Sequence, residues 1–154
     1  MRILIFGSFD CLHLGHLALL NEIRAWVNTD PMATSINSDQ DEMIVILARD
    51  EVILGLKGVE PTERWIQRAD ALLATGLVSE VWPSDPLGSH GKFLATKKAN
   101  PDLIGFGYDQ KELQQAWLEF KLTIESTLAG DNYLPTMVCS PYRERIYKSS
   151  LLRH

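Results

Sequence analysis

Short apolar runs alternate along this chain with longer segments in which apolar residues recur every three to four positions. The first pattern is typical of buried β-strands and the second of amphipathic helices. Their alternation predicts an α/β domain with a five-stranded parallel sheet and helices on both faces. A polar stretch without periodicity, residues 28–42, is predicted to be a loop. The predicted strands are residues 2–6, 43–48, 78–82, 102–106 and 134–139, and the predicted helices lie near residues 15–27, 61–75, 90–99 and 110–129.

The chemically distinctive residues of the chain follow the predicted strands. A motif with two histidines follows the first strand, Lys57 follows the second, a glycine-containing segment follows the fourth, and a basic, hydroxyl-rich segment follows the fifth. Open parallel sheets bind ligands outside the carboxyl ends of their strands. The sequence therefore predicts that these clusters share one edge of the sheet and form one site.

The motif at residues 7–16, Gly-Ser-Phe-Asp-Cys-Leu-His-Leu-Gly-His, connects the first strand to the first helix. At such a junction the backbone N–H groups and the positive end of the helix dipole attract phosphate. His13 and His16 add two imidazoles, and Gly15 between them lets a ligand approach the backbone closely. The motif thus predicts an oligophosphate site. The alternative is one helix-capping histidine and one surface histidine, without a ligand.

Composition limits the classes of function. A length of 154 residues, of which 45% are apolar, fits one domain spanning residues 1–154. The net charge of −5 argues against general binding to nucleic acid or a membrane surface, so local cations must hold any anionic ligand. The sequence shows neither an apolar run near the ~20 residues of a membrane span nor a signal-peptide pattern, so we expect a cytoplasmic protein. Cys11 and Cys139 lack metal-ligand spacing and are expected to be free thiols.

Residues 7–16 resemble the phosphate-binding signature of the H-x-G-H nucleotidyltransferase superfamily, which includes cytidylyltransferases, pantetheine-phosphate adenylyltransferases and FAD synthetases. The resemblance implies a Rossmann-like domain in which an acceptor phosphate attacks the α-phosphorus of a nucleoside triphosphate and pyrophosphate leaves. It implies that His13 and His16 are catalytic. Nucleotide binding is implied for Gly7, Ser8, Phe9, Asp10 and Gly15.

Two cations in the middle of the chain fit the same resemblance. Lys57, which precedes a glycine, resembles the family lysine that reaches the triphosphate, and a catalytic role is implied for it. Arg68 matches a family arginine by its spacing to residues 78–81, which implies nucleotide binding. Considered alone, Lys57 would be a solvated loop lysine, and Arg68 with Arg64 a charged helix face.

The segment at residues 147–153, Tyr-Lys-Ser-Ser-Leu-Leu-Arg, resembles the second superfamily motif, I-S-S-T-x-x-R. Hydroxyl residues at a helix start leave N–H groups free for phosphate oxygens. We assign Lys148, Ser149 and Ser150 to nucleotide binding and Arg153 to catalysis. Lys148 departs from the motif, in which a serine is common at that position. A solvated basic tail is the alternative.

Residues 100–110 narrow the choice of substrate. Gly107 allows close backbone approach to a ligand, and Asp109 can accept hydrogen bonds from a base or a ribose. The segment resembles the P-D-x-I-x-L-G-Y-D-Q segment of archaeal-type, single-domain FAD synthetases, which implies ATP and FMN as substrates. A simple turn after the fourth strand is the alternative.

The residue inventory fits transfer to an acceptor that is already a phosphate monoester. Such a reaction needs no strong general base, so positioning and charge stabilisation suffice. Together with this chemistry, the resemblance of residues 100–110 to FAD synthetases implies transfer of AMP from ATP to FMN. Mg²⁺ is expected to be held by phosphate oxygens and water, with Asp10 as a contact through water and no metal site on the protein. A CTP-dependent cytidylyltransferase for a small phosphorylated alcohol and a non-catalytic nucleotide-binding module stay open, and superfamily members often form homodimers.

Overall fold

A computed structural model of the chain describes residues 2–29, 41–89, 93–107, 110–127 and 136–139. Helices and strands alternate through these ranges. Among the described helices none is long and apolar enough to cross a membrane. The strands are β1 (Arg2–Gly7), β2 (Glu42–Leu47), β3 (Glu80–Pro83), β4 (Leu103–Phe106) and β5 (Thr136–Cys139), and the helices are α1 (Leu14–Thr29), α2 (Asp50–Lys57), α3 (Trp65–Ala74), α4 (Leu94–Ala99) and α5 (Lys111–Thr127).

The strands pair in parallel, with β1 at the centre. β2 lies on one side of β1, where Leu4 is the partner of Ile44, and β4 lies on the other side, where Leu4 is the partner of Ile104. β3 extends the sheet beyond β2, and β5 pairs with β4. Because the central strands are covered on both faces, they are continuous apolar runs. The parallel α/β architecture predicted from the sequence is confirmed.

Alternate residues of the strands enter two separate apolar cores, one on each face of the sheet. On the first face α1 and α3 pack against the sheet through Leu20, Ile23 and Leu72. On the second face α4 and α5 pack through Ala99 and Trp117. The strand residues Ile3, Ile5, Met43 and Val45 belong to the first core, and Leu4, Ile44, Ile46, Ile104 and Phe106 belong to the second.

Helix α2 is absent from the sequence prediction, which assigned its residues to no helix or strand. It has eight residues, too few for a clear helical pattern in the sequence. The helix ends at Gly58, which has a left-handed backbone (φ 74°) and donates its N–H to the Leu54 carbonyl at 2.8 Å. Lys57 is therefore the last residue of a helix and not a loop residue.

Helix starts and the polar stretch also differ from the prediction. α3 begins at Trp65, four residues later than predicted, because the N–H groups of Thr62 and Glu63 donate hydrogen bonds to the side chain of Asp10 in the loop after β1. α4 begins at Leu94, after Phe93 with φ 45°. Of the predicted loop, residues 28–42, the first two residues belong to the end of α1 and the last residue begins β2. Residues 30–40 lie outside the described residues.

Candidate active site

The loop between β1 and α1 has an unusual backbone. Phe9 has φ 44° and Cys11 has φ 53°, which is the left-handed region that side chains other than glycine rarely adopt. Each such residue costs on the order of 1 kcal/mol or more and persists only where the surroundings impose it. Gly7 begins the loop, and a Cβ at this position would collide with the ring of Phe9. The loop must therefore be held in place by contacts from elsewhere in the chain.

Asp10 provides the first of these contacts. Its carboxylate is buried and accepts hydrogen bonds from the backbone N–H of Thr62 at 2.8 Å and of Glu63 at 2.9 Å. In return, the Glu63 carboxylate accepts a hydrogen bond from the Cys11 N–H at 2.9 Å. Hydrogen bonds to ionised acceptors are among the stronger ones in proteins. The segment before α3 and the loop after β1 are thus bound to each other reciprocally.

Arg68 provides the second contact. Its side chain is fully buried, and it donates from Nη1 to the Ser8 carbonyl at 2.8 Å and from Nε to the Glu63 carbonyl at 3.0 Å. Its Nη2 donates to Asp50 Oδ1 at 2.6 Å, while Asp50 Oδ2 accepts from the Trp65 N–H. One guanidinium therefore joins the loop, α2 and the start of α3.

Three residues predicted to bind nucleotide have buried side chains. The side chains of Phe9, Asp10 and Arg68 lie beneath the loop, where they have at most 4% of their surface exposed. Phe9 packs with its ring 5.1 Å from that of His16, and the other two are occupied by the bonds above. These contacts give the three residues a role in positioning the loop, and their predicted binding of nucleotide stays a prediction.

The two histidines of the motif form a stacked pair at the start of α1. Their ring centroids are 3.7 Å apart, with 21° between the planes. The N–H of Gly15 donates to His13 Nδ1 at 3.0 Å, and the N–H of His13 donates to His16 Nδ1 at 3.2 Å. Because both Nδ1 atoms accept hydrogen bonds, these bonds assign the hydrogen of each neutral ring to Nε2. Among the described residues, His13 Nε2 is buried and has no partner.

Both imidazoles are neutral at physiological pH. Burial lowers the pKa of His13. Burial, which is the largest cause, and the adjacent His13 lower the pKa of His16 to about 4. The Asp10 carboxylate acts in the opposite direction and raises it. A bound polyphosphate would favour the protonated rings and raise both pKa values. Without a ligand, each ring is neutral and carries its hydrogen on Nε2.

The low pKa of His16 makes stability depend on pH. The unfolded histidine titrates near 6.5 and the folded one near 4, so the unfolded state binds more protons between these values. We expect the free energy of unfolding to fall by up to about 3 kcal/mol as the pH drops from 6.5 to 4. Urea unfolding at several pH values measures this. His16→Asn is the control: its slope should be shallower, and equal slopes would contradict the assignment.

The remaining predicted residues fall into two groups. Lys57 is exposed, and Gly15 is buried in the first turn of α1. Gly107 follows β4 and donates its N–H to Gln110 Oε1 at 2.8 Å. The rest of the predicted set, Asp109, Lys148, Ser149, Ser150 and Arg153, lies outside the described residues.

Three residues that hold the site were missing from the sequence prediction. Gln110 donates from Nε2 to the Phe6 carbonyl at 2.8 Å, and so joins the segment after β4 to the end of β1. Asp50 and Glu63 hold Arg68 and Cys11. Gln110 could have been noticed, since it is the last residue of the segment 100–110 and stands three residues after Gly107, which follows β4. For Asp50 and Glu63 the sequence gives no signal, because their partners are distant along the chain.

One cluster of potential metal ligands lies where the loop after β1 meets the segment before α3. Ligand atoms of Asp10, Cys11 and Glu63 lie within 4.8 Å of one another. However, both carboxylates already accept backbone hydrogen bonds, and a thiol is not a ligand that Mg²⁺ prefers. These residues therefore do not fit a magnesium site made of protein ligands alone.

Comparisons with known proteins were made for the whole chain. A family model described as cytidylyltransferase-like matches residues 4–154. The FAD synthase of Thermococcus onnurineus (strain NA1) is 34% identical over 113 residues, which are 72% of this chain and 64% of that protein. The FAD synthase of Korarchaeum cryptofilum (strain OPF8) is 30% identical over 123 residues, which are 79% of this chain and 72% of that protein. The chain thus spans slightly less than two thirds of the length of the Thermococcus relative.

A solved structure has a similar fold. The lipopolysaccharide core biosynthesis protein from Thermoplasma volcanium GSS1 superposes with a TM-score of 0.64, over 94% of this chain and 98% of that chain. The two sequences are 23% identical, so the likeness concerns the fold alone. It supports the predicted Rossmann-like arrangement.

Proposed function

Because this chain belongs to the cytidylyltransferase-like family, as residues 7–16 led us to expect, we propose that it transfers AMP from ATP to the phosphate of FMN. The products are FAD and pyrophosphate. The observation that carries the proposal is the stacked pair of His13 and His16, which offers two Nε2–H donors at a helix start. The similarity to two archaeal FAD synthases supports FMN as the acceptor.

In the proposed reaction, an oxygen of the FMN phosphate forms a bond to the α-phosphorus while the bond to the bridging oxygen of the β-phosphate breaks. Charge increases on the phosphate oxygens in the transition state. His13 and His16 donate hydrogen bonds to these oxygens, and the N-terminus of α1 adds its positive dipole. The neutral state of the rings suits this role, because each keeps its Nδ1 bond to the backbone while Nε2 meets the phosphate.

Further residues complete the proposed nucleotide site. Lys57 reaches the triphosphate from the end of α2, and Mg²⁺ is bound by phosphate oxygens and water, where it neutralises phosphate charge. With β5 as the fifth strand, its carboxyl end lies at the same edge of the sheet as the histidines. A homodimer and a cytoplasmic location stay predictions. We assign a catalytic role to Arg153, and nucleotide contacts to Gly7, Ser8, Gly15, Gly107, Asp109, Lys148, Ser149 and Ser150.

Release of pyrophosphate from defined substrate pairs tests the proposal. We expect ATP with FMN, in the presence of Mg²⁺, to give pyrophosphate and FAD in equal amounts, with a rate well above that of CTP with glycerol phosphate or phosphocholine. The reason is the resemblance of residues 100–110 to the FAD synthetase segment; these residues include β4, the strand beside β1. Coupled detection of pyrophosphate and flavin chromatography measure both products. His13→Gln is the control against a contaminating enzyme.

Two other results would contradict the proposed function, and each would indicate a different one. Turnover only with CTP and a phospho-alcohol would make the protein a cytidylyltransferase for small acceptors. Nucleotide binding without pyrophosphate release from any pair would make it a non-catalytic binding module.

A further inference from the structure

The strands β1 and β4 separate at the point where the strand order of the sheet reverses. From β1 the chain continues outward to β2 and β3, and it then returns to the other side of β1 as β4. After β1 it turns into α1 on the first face, whereas after β4 it turns into α5 on the second face. The regular pairing of the two strands ends at Ile5 and Gly105. Open parallel sheets bind ligands in the crevice at such a point.

The side-chain amide of Gln110 lies between the two separating strands. Its Nε2 donates to the Phe6 carbonyl of β1 at 2.8 Å, and its Oε1 accepts from the N–H of Gly107, directly after β4, at 2.8 Å. The amide thus takes the place of a peptide group, since it offers a donor to one strand and an acceptor to the other. It provides partners for backbone groups at the end of the β1–β4 pairing.

The neighbouring strand pairs are joined differently at this edge of the sheet. β1 and β2 stay connected by a direct backbone bond, in which the Ala48 N–H donates to the Gly7 carbonyl at 2.9 Å. β4 and β5 keep their register to Phe106 and Cys139, the last residues of both strands. Spacing by a side-chain amide therefore distinguishes β1 and β4 from these two pairs.

Gln110 also connects the segment after β4 to α5. The Gly107 carbonyl accepts from the Gln110 N–H at 3.1 Å, and the Gln110 carbonyl accepts from the Gln114 N–H at 2.9 Å, in the first turn of α5. The loop between β1 and α1, in contrast, is held by Asp10 and Arg68. Removal of the Gln110 amide should therefore move the segment after β4 and leave the loop in place.

We propose that Gln110 is a positioning residue for the nucleotide, which fixes the distance between the segment that receives the nucleoside and the loop that receives the triphosphate. The inference rests on the proposed function for the contacts of Gly107 and Asp109 with the nucleoside. Since ATP must contact both segments at once, their spacing governs its affinity and the position of its α-phosphorus. Inorganic tripolyphosphate lacks the nucleoside and contacts only the loop and its cations.

Gln110→Met tests the proposal by separating these two ligands. The variant keeps the length of the side chain and removes both of its hydrogen bonds. We expect the Kd for ATP to rise about tenfold, the size of two hydrogen bonds, and kcat to fall because the α-phosphorus is less well placed. The Kd for tripolyphosphate should stay unchanged. Isothermal titration calorimetry with Mg²⁺ and without FMN measures the Kd values for ATP, CTP and tripolyphosphate.

Gln115→Met is the matched control. Gln115 is exposed on α5, and its Nε2 donates to the Glu119 carboxylate at 3.3 Å. Both Kd values and kcat should match those of the wild-type protein. A second variant, Gln110→Glu, keeps an acceptor for the Gly107 N–H but, when ionised, places another acceptor against the Phe6 carbonyl. It should weaken ATP binding at least as much as Gln110→Met, again without an effect on tripolyphosphate.

The outcomes separate the role of Gln110 from the reaction. Equal weakening of ATP and tripolyphosphate binding in both variants would show a general structural role and overturn the proposal, and so would unchanged binding of both ligands. A wild-type protein that binds neither ATP nor CTP more tightly than tripolyphosphate would overturn it too, because the segment after β4 would then contribute no affinity. The expected difference between ligands, seen with CTP in place of ATP or without any formation of FAD, would contradict the proposed function and support the role of Gln110.

Discussion

His16→Ala is expected to lower kcat for pyrophosphate release by about 10²–10³-fold, the usual loss for one transition-state donor. The variant removes one of the two Nε2–H donors and also the Nδ1 acceptor that holds the His13 N–H at 3.2 Å. His13→Ala should lose a similar factor. Because the rings stack and share hydrogen bonds, they act as a unit, and the double variant should lose little more than either single one.

Leu14→Ala is the control for this experiment. Leu14 lies between the histidines in the first turn of α1, but its side chain is 71% exposed and belongs to neither core. Turnover in this variant should match that of the wild-type protein. A double histidine variant with wild-type turnover would refute the catalytic role of the pair. Circular dichroism should show the same helix content in all variants.

Arg68→Met is expected to lower the free energy of unfolding by about 2–4 kcal/mol. The substitution keeps an apolar stem but leaves the carbonyls of Ser8 and Glu63 without their buried donor and Asp50 without its cation. Since Ser8 belongs to the loop that places the histidines, kcat should also fall, by roughly tenfold or more. Denaturant unfolding and steady-state kinetics measure the two effects.

Arg64→Met separates these effects from a general loss of charge. Arg64 precedes α3 on the same segment and is exposed, and its backbone N–H, which the substitution keeps, donates to Gln67 Oε1 at 2.9 Å. Its stability should change by less than about 0.5 kcal/mol. If Arg68 instead contacted nucleotide directly, Arg68→Met would raise the KM for ATP at unchanged stability, which is the result that would contradict a positioning role.

The sheet and the histidine motif were predictable because their signals are local. β1 and β2 are continuous apolar runs, which buried parallel strands require on both faces. The histidines stand where such a strand meets a helix, and this junction attracts phosphate in any chain. The superfamily followed from the same ten residues and is confirmed by the family match over residues 4–154.

The contacts that hold the site in place were not predictable, because they join residues that are far apart in the sequence. Asp10 bonds residues more than fifty positions away, and Arg68 bonds Ser8 at a separation of 60 positions. An arginine on a helix has the same sequence pattern whether it faces a ligand or the interior. Helix α2 was missed for a different reason: eight residues present barely two turns of periodicity.

The central place of β1 has a consequence for the order in which the chain becomes folded during synthesis. Ile3 pairs with Met43 on one side and with Leu103 on the other. The first pairing closes a chain segment of moderate length, whereas the second must wait until Leu103, which stands 100 positions after Ile3, has left the ribosome. Until then a nascent chain carries an apolar strand with one unpaired backbone edge, which is the kind of edge that invites pairing between chains. Slow elongation through the middle of this chain therefore favours aggregation or capture by a chaperone.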